Sequence, residues 1–522
     1  MKKLLMLCIG LASSSYILAQ DISDAIRYSM DEIQGTARFR AMSGAFGALG
    51  GDMSAVNINP AGSAIFNNSH ASASVGVFSK KNDINYFNGL TTSSNSNFDL
   101  NQLGAAFVFV NRDESSPWKK FTLGVAYDRS ADFDDDWVAK GVNPNNSIGS
   151  YFVNNANNSE LYLFTPTNSE LSQYFNINES IIASNDQLFY ELGYQFLGEV
   201  EGLQQQQNFL GYYSYILEPE NEDDLNTNYT SNIDLNGTDF NQEYYYASRG
   251  YNGKLAFNLA TSYEDKIFLG INLNAHFINY ERSTFLNETN SNANSTITSV
   301  DFENNLLTTG SGFSFQLGGI AKVTEEFRVG LSYNSPTWYR ISEETSQYLA
   351  TDSPEGSTII NPNVINIFPE YKLQTPSKLT GSLAYVFGKQ GLLSFDYSIK
   401  DYSGAKFRPS SDIHFSASNS DISNSLDTAN SYRIGGEYRY KQLSFRGGYR
   451  FEESPYKDDT FYGDLTGYSL GLGYNFGNLN LDLAFSQAER DTNYKLYNVG
   501  LTDSAEFQSK FIDVILTLGF KI

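Results

Sequence analysis

The sequence predicts an all-β fold, a transmembrane antiparallel β-barrel of about fourteen strands. Three observations predict it. Apolar and polar side chains alternate with period two along many short runs. The connections between those runs sort into short turns and long loops. A secretory leader precedes a chain rich in Tyr (36), Phe (38) and Gly (42), with no later apolar run long enough for a membrane helix. The mean hydropathy of −0.36 fits a barrel whose lumen and outer loops are polar.

The leader is residues 1–19. Met1-Lys2-Lys3 is basic, Leu4 to Ala12 is apolar, and Ala19 offers a small residue for cleavage. Cys8, the single cysteine, lies within it, so the mature chain is expected to lack disulfides and thiolate metal sites. The formal charge is −24, and −26 once Lys2 and Lys3 are gone. That balance excludes a nucleic-acid partner, which needs basic patches. The acidic runs Asp134-Asp135-Asp136 and Glu218–Asp224 read as solvated loop charge.

Residues 20–68 differ in kind from the remainder of the chain. Asp21 to Tyr28 is a short helix candidate, and Gly44 to Gly51 is a small-residue run that can pack closely in a confined space. Pro60 biases Asn59 away from helix, and Asn59 can bond its own backbone, so Asn59-Pro60-Ala61-Gly62 is expected to be a tight polar turn.

Residues 69–522 are expected to form the barrel. In the last strand Ile512, Val514, Leu516, Leu518, Phe520 and Ile522 share one face, while Asp513, Thr517, Gly519 and Lys521 share the other; Phe511 and Ile515 blur the pattern. Leu479 to Phe485, Leu393 to Ile399 and Phe121 to Tyr127 alternate in the same way. Strands are expected to begin near Ser69, Leu103, Lys119, Asn252, Lys266, Thr309, Glu326, Tyr371, Gln390, Asn430, Gln442, Gly463, Leu479 and Phe507. Short turns such as Lys441-Gln442 alternate strictly with long loops near 131–250, 284–308, 348–370, 403–429 and 491–506. An even count puts both termini on the short-turn, periplasmic side. A soluble sandwich has no reason to sort its loops in this way.

The 131–250 connection is the outlier, and its length implies structure of its own. Leu188, Leu192 and Phe196 follow i, i+4 spacing, with a similar row at Leu171, Phe175 and Ile182, so helices are expected. On the outer face they are candidates for an extracellular hydrophobic groove.

Catalytic constellations are poor. There are three histidines and no HExxH, GxSxG or P-loop pattern, so no enzyme, cofactor or metal is expected. His276 falls on a polar face with Asn272 and Asn274 and reads as lumen wall. Arg433, Arg439, Arg446 and Arg450 share lumen-facing parity on adjacent strands; they are candidates for a ligand carboxylate or for paired lumen charge with Glu437.

The full run Gly44 to Gly62, with Asp52, Ser54 and Ala55 at the same spacing, resembles the N-terminal signature of the outer-membrane fatty-acid and hydrocarbon channel family (OMPP1/FadL/TodX). The resemblance implies that the N-terminal segment is a hatch plugging a fourteen-stranded barrel in a Gram-negative outer membrane. It implies passive uptake of hydrophobic compounds, long-chain fatty acids first among them: capture at extracellular loops, transfer to a lumen pocket, then lateral release. Asn59, Pro60 and Ala61 would stand at that opening, beside a kink in the third strand for which Gly124 and Asp128 are candidates. The implied partners are a fatty acid or other lipophile, outer-membrane lipid and lipopolysaccharide, and the barrel-assembly machinery, with the chain a monomer. The alternative is a FadL-like barrel serving as a shuttle or assembly component of a Bacteroidetes protein secretion system.

Overall fold

The computed structural model describes residues 22–522; the expected signal peptide lies outside them. Fourteen antiparallel strands form the wall. They are β1 (His70–Tyr86), β2 (Gly89–Val110), β3 (Trp118–Asp132, continued by Asp135–Asn143), β4 (Phe240–Tyr263), β5 (Ile267–Asn290), β6 (Ser299–Lys322) and β7 (Phe327–Asn334 and Trp338–Ser353). They continue as β8 (Tyr371–Gln374 and Lys378–Phe387), β9 (Gly391–Asp401), β10 (Thr428–Tyr440), β11 (Leu443–Glu452), β12 (Leu465–Asn475), β13 (Leu479–Lys495) and β14 (Ser504–Lys521). Each pairs with its neighbours in sequence, and β14 pairs back onto β1, so the sheet closes on itself.

The alternation sorts the side chains as expected. Val514, Leu516 and Leu518 of β14 are exposed on the outside, where lipid would lie, whereas Ile515 and Thr517 are buried in the lumen. Ile515 blurred the pattern for a reason: it packs inward against Ala37 and Ala41 of the N-terminal segment.

Two expectations need correction. Strands β2, β4 and β6 begin 10 or more residues before their expected starts, at Gly89, Phe240 and Ser299. The connection between β1 and β2 is only Phe87-Asn88, a tight hairpin with both residues at positive φ (45° and 64°), so the strict long–short alternation fails there. The reason is physical. Beyond the apolar band a strand no longer needs an apolar outer face, and residues such as Thr91 to Asn97 are polar on both faces.

The middle of the 131–250 connection, residues 148–213, is a helical cap. It carries α3 (Ile148–Ala156), α4 (Asn168–Phe175), α5 (Glu179–Ala183), α6 (Asp186–Val200) and α7 (Leu203–Tyr213). Phe152, Tyr194 and Phe209 of the cap bury against Trp137, Phe240 and Phe302 from the strand ends, forming the largest apolar core of the molecule. Inside the barrel, residues 22–68 form the hatch, with short helices α1 (Ile22–Arg27) and α2 (Ala37–Arg40) and 3-10 turns at Ser54–Asn57 and Pro60–Ile65.

Candidate functional site

The hatch is fixed by hydrogen bonds that radiate to the wall. Thr36 caps the Ala37–Arg40 helix and also bonds Asp52 at 2.7 Å, while Asp52 accepts from Ser54 N at 2.9 Å. Phe46 and Gly47 donate backbone N–H groups to Asp396 of β9 at 3.0 Å, and Ser43 N donates to Ser469 of β12 at 3.0 Å. Arg38 donates to Glu437 of β10 at 2.9 Å. Asn272 of β5 and Gln316 of β6 donate to the Val56 and Asn57 carbonyls, each at 2.9 Å. The polar row that includes His276 is therefore lumen wall, and its amides hold the hatch.

The wall makes room with glycine. A methyl group at Gly270, Gly318 or Gly330 would overlap the Pro60, Asn59 or Gly47 region of the hatch. At Gly435 it would sit 2.6 Å from the Met42 carbonyl oxygen. Small residues on both sides thus allow backbone to lie against backbone.

Asn59 is 1% exposed. Its Oδ1 caps the following turn by accepting from Ala61 N at 3.1 Å, and its Nδ2 donates to the carbonyls of Gly47 (2.8 Å) and Gly319 (3.0 Å). Asn258 of β4 donates to the Pro60 carbonyl at 2.9 Å. The Asn59-Pro60-Ala61 turn therefore rests on β4 to β7 and is fully bonded there. Several hatch residues reach the third strand: Asn57 donates to Asp128, Glu32 accepts from Asp132 N at 3.2 Å, the Phe66 carbonyl accepts from Lys120 at 3.2 Å, and Met53 and Phe66 pack on Ala126.

The third strand is where the wall changes. Pairing between β2 and β3 runs from Val110↔Lys120 to Gln102↔Asp128 and then stops. It is uninterrupted at Gly124, whereas Asp128, the other residue expected at a kink, is the last to pair. Asn101 is an extra residue in β2 against β1, and Ser130 is an extra residue in β3 against β4. Such bulges bend strands, and these two flank the point where the ladder ends. Beyond it, residues 89–101 of β2 face 129–143 without a backbone ladder.

Side chains close this seam. Arg129 bonds Asp99, and Thr91 donates to the Val138 carbonyl. Asn97 Nδ2 donates to Asp132 at 3.0 Å and to Asp134 at 2.7 Å. Lys80 and Asn82 of β1 reach across to Asp135 at 2.6 and 2.9 Å. The Asp134–Asp136 run is thus not free loop charge: two of its members latch the seam and the third pairs with Arg249. On the outer face beside the seam, Phe98, Leu100 and Leu103 are exposed.

A lumen cavity of about 220 Å³ lies behind the seam. Asn95, Asn97, Asp132 and Asp134 from both lips line it, with Met30, Ile33, Phe78 and Phe511 as apolar surface. Six carboxylates (Asp31, Glu32, Asp132, Asp134, Glu452, Asp513) and four cations (Arg40, Lys80, Arg450, Arg490) also line it. A smaller cavity of about 40 Å³ shares Met30, Asp31, Glu452 and Arg490 with it. Burial alone would raise the Asp31 carboxyl, but Lys378 and Lys400 hold it well below the usual carboxylate range. Glu32 is open to the cavity but enclosed by surrounding protein, and that enclosure, and then the neighbouring Asp132, push its carboxyl up to about 7.

The four arginines expected to meet a ligand carboxylate already have carboxylates of the chain. Arg439 and Arg446 converge with Arg38 on Glu437, at 2.7 Å and 2.6 Å for the first two, and Arg446 also bonds Asp482. Arg433 and Arg450 share Glu452 at 3.3 and 3.6 Å. Arg450 lines the larger cavity and Arg433 the smaller one. Leu188, Leu192 and Phe196 do lie on one face of α6, but that face packs onto Leu171, Phe175 and Ile182 of α4 and α5. They form a small internal core and not an open groove, because an apolar stripe loses less to water when neighbouring helices cover it. Glu32, Asn97, Asn101, Arg129 and Asp132 escaped the sequence reading; only the neighbouring acidic run Asp134-Asp135-Asp136 gave a signal, and it pointed to a loop.

A family model described as "Outer membrane protein transport protein (OMPP1/FadL/TodX)" matches residues 212–519. The Gly44–Gly62 run lies outside that match. No curated protein sequence matches the chain. Among solved structures, the toluene transporter TodX of P. putida aligns over 94% of this chain and 99% of its own, with 12% identity and a TM-score of 0.52. A FadL homologue of Pseudomonas aeruginosa aligns over 94% and 99%, with 11% identity and a TM-score of 0.53. Those structures support the barrel fold, and the family match spans more than half the sequence. The chain therefore belongs to the OMPP1/FadL/TodX family of outer-membrane transport proteins, channels for hydrophobic compounds and not enzymes.

Proposed function

We propose that this channel admits hydrophobic compounds at its long-loop end, holds them in the lumen cavity, and releases them sideways into the membrane at the lower end of the β2–β3 seam, where Phe98 and Leu100 face outward at the edge of the apolar band. The long loops face outward and the termini face the periplasm in this reading. The observation that carries it is the juxtaposition of cavity and seam: both lips of a gap without backbone pairing line the cavity. Lateral release suits a hydrophobic passenger, because each buried CH₂ is worth roughly 0.8 kcal/mol and a route into lipid never returns it to water. The seam is held by side-chain contacts alone, which can part without breaking a ladder.

The cavity favours a compact, neutral lipophile over a free long-chain fatty acid. Its volume of about 220 Å³ is small, and its lining carries six carboxylates against four cations. A fatty carboxylate would meet Glu32, Asp132 and Asp134 at the exit. The likeness to a toluene transporter supports the same passenger class.

Dodecanol and dodecanoate share a chain and differ in charge, so labelled uptake into cells with and without the gene separates the two. The expected result is a clear gene-dependent uptake of dodecanol and a smaller one of dodecanoate. Equal or reversed dependence would contradict the charge argument. Unchanged uptake of both, together with a secretion defect, would favour the shuttle role instead.

A further inference from the structure

The outer wall carries a row of cations that the transport route does not use. Arg340 of β7 stands directly opposite Lys372 of β8, and Lys372 stands directly opposite Arg408 in the short strand Lys406–Arg408. All three are exposed, and Lys406 is exposed on the same face. The outward direction is fixed by their neighbours: Tyr339, Ile341, Leu373 and Phe407 are at most 2% exposed and point into the barrel.

Adjacent strands lie about 4.8 Å apart, and like charges placed directly opposite on one face destabilise a sheet. The row has little internal relief. Among the described residues, Glu370 is the one carboxylate in an ion pair with it, 3.8 Å from Arg340. Arg408 donates to the neutral Gln374 at 2.9 Å. In a chain with a formal charge of −24, four outward cations in one patch are a departure from the general surface.

Height above the lipid band identifies what could offset this charge. Trp338, two residues below Arg340, stacks with Phe313 and Phe315, and Tyr333 joins them. Aromatic girdles mark the membrane–water interface. Two residues of strand rise about 7 Å, which sets the cations at the level of lipid headgroups. Guanidinium and ammonium groups there suit phosphate, since arginine binds phosphate through two parallel N–H donors.

We propose that Arg340, Lys372, Arg408 and Lys406 form a binding site for the phosphorylated headgroup of the outer-leaflet glycolipid. The proposal rests on the long-loop end facing outward, as in the function proposed above. Binding by purified protein tests the site itself, while dodecanol uptake tests that function, so the two can fail separately.

The experiment measures binding of diphosphoryl lipid A and of dephosphorylated lipid A to the full chain in detergent. Arg340→Ala/Lys372→Ala/Arg408→Ala should lose at least tenfold in affinity for the diphosphoryl form while keeping the heat-modifiable gel mobility of a folded barrel. Lys372→Gln alone, the milder variant, should lose about threefold. Lys389→Ala/Lys441→Ala, on turns at the opposite end, should bind as the parent does. The parent should prefer the diphosphoryl form by a factor similar to the triple-variant loss. Binding by the triple variant within twofold of the parent would overturn the proposal. So would an equal loss in the opposite-end pair, or indifference of the parent to the phosphates.

Discussion

Replacing Asn59 with alanine should loosen the hatch while leaving the barrel closed. The side chain makes two good donor bonds, to Gly47 and Gly319, at 2.8 and 3.0 Å, and caps the Pro60–Ile65 turn through Ala61 N. Each bond is worth about 1 kcal/mol net, and loss of a cap costs about 1 kcal/mol. The total is about 3 kcal/mol, a shift of about 10²-fold toward a displaced hatch. No wall ladder passes through Asn59, so the fourteen-stranded closure is untouched. Single-channel recording in planar bilayers should show brief conducting events about 10²-fold more often than in the parent. Gel mobility before and after heating should be unchanged. A parent-like conductance would refute this reasoning, as would a barrel that no longer folds.

The same contacts support further expectations. Gly435→Ala places a methyl group 2.6 Å from the Met42 carbonyl oxygen and should cost about 1–3 kcal/mol by overpacking, read as a lower hatch-release threshold under urea in the same recordings. Glu32, pushed up to about 7 by its enclosure in protein and then by Asp132, is ionised above that pH and repels an anion in the cavity. Cavity occupancy by an alkyl sulfonate, charged throughout, should rise as pH falls through about 7, and Glu32→Gln should remove the pH dependence in a fluorescence-displacement titration. The sign for stability is the same: the ionised carboxylate costs stability above about pH 7, and the cost is relieved as pH falls toward the ordinary carboxyl range.

What could be read from sequence was whatever the bilayer enforces. Strands with one lipid face alternate, and the starts of β8, β9 and β13 fall where alternation begins. Where that constraint ends, so does the signal: Thr91 to Asn97 is strand with polar residues on both faces. The hatch announced itself through small residues, because a methyl group at Gly50 would sit 2.7 Å from the Gly62 backbone and one at Gly47 would overlap the Ser382 side chain of the wall. The seam did not, since it is defined by missing pairing and by contacts such as Asn97 to Asp134 between distant residues. Parity placed Arg433, Arg446 and Arg450 in the lumen, while Arg439 is half-exposed near the turn end of β10; their partners Glu437 and Glu452 were a matter of register. The apolar row of α6 was visible, yet only folding shows that α4 and α5 cover it.

The seam is the centre of the proposed route, and locking it is the direct test. Asn97 Nδ2 and Asp134 Oδ2 lie 2.7 Å apart across it. Cys8 is the single cysteine and falls in the expected leader, so Asn97→Cys/Asp134→Cys would place two unique thiols on opposite lips. Bridging them with a short bis-methanethiosulfonate, which forms a disulfide at each thiol and releases sulfinate, should abolish gene-dependent dodecanol uptake, and reduction of those disulfides should restore it. Undiminished uptake through the bridged protein would contradict lateral release between β2 and β3.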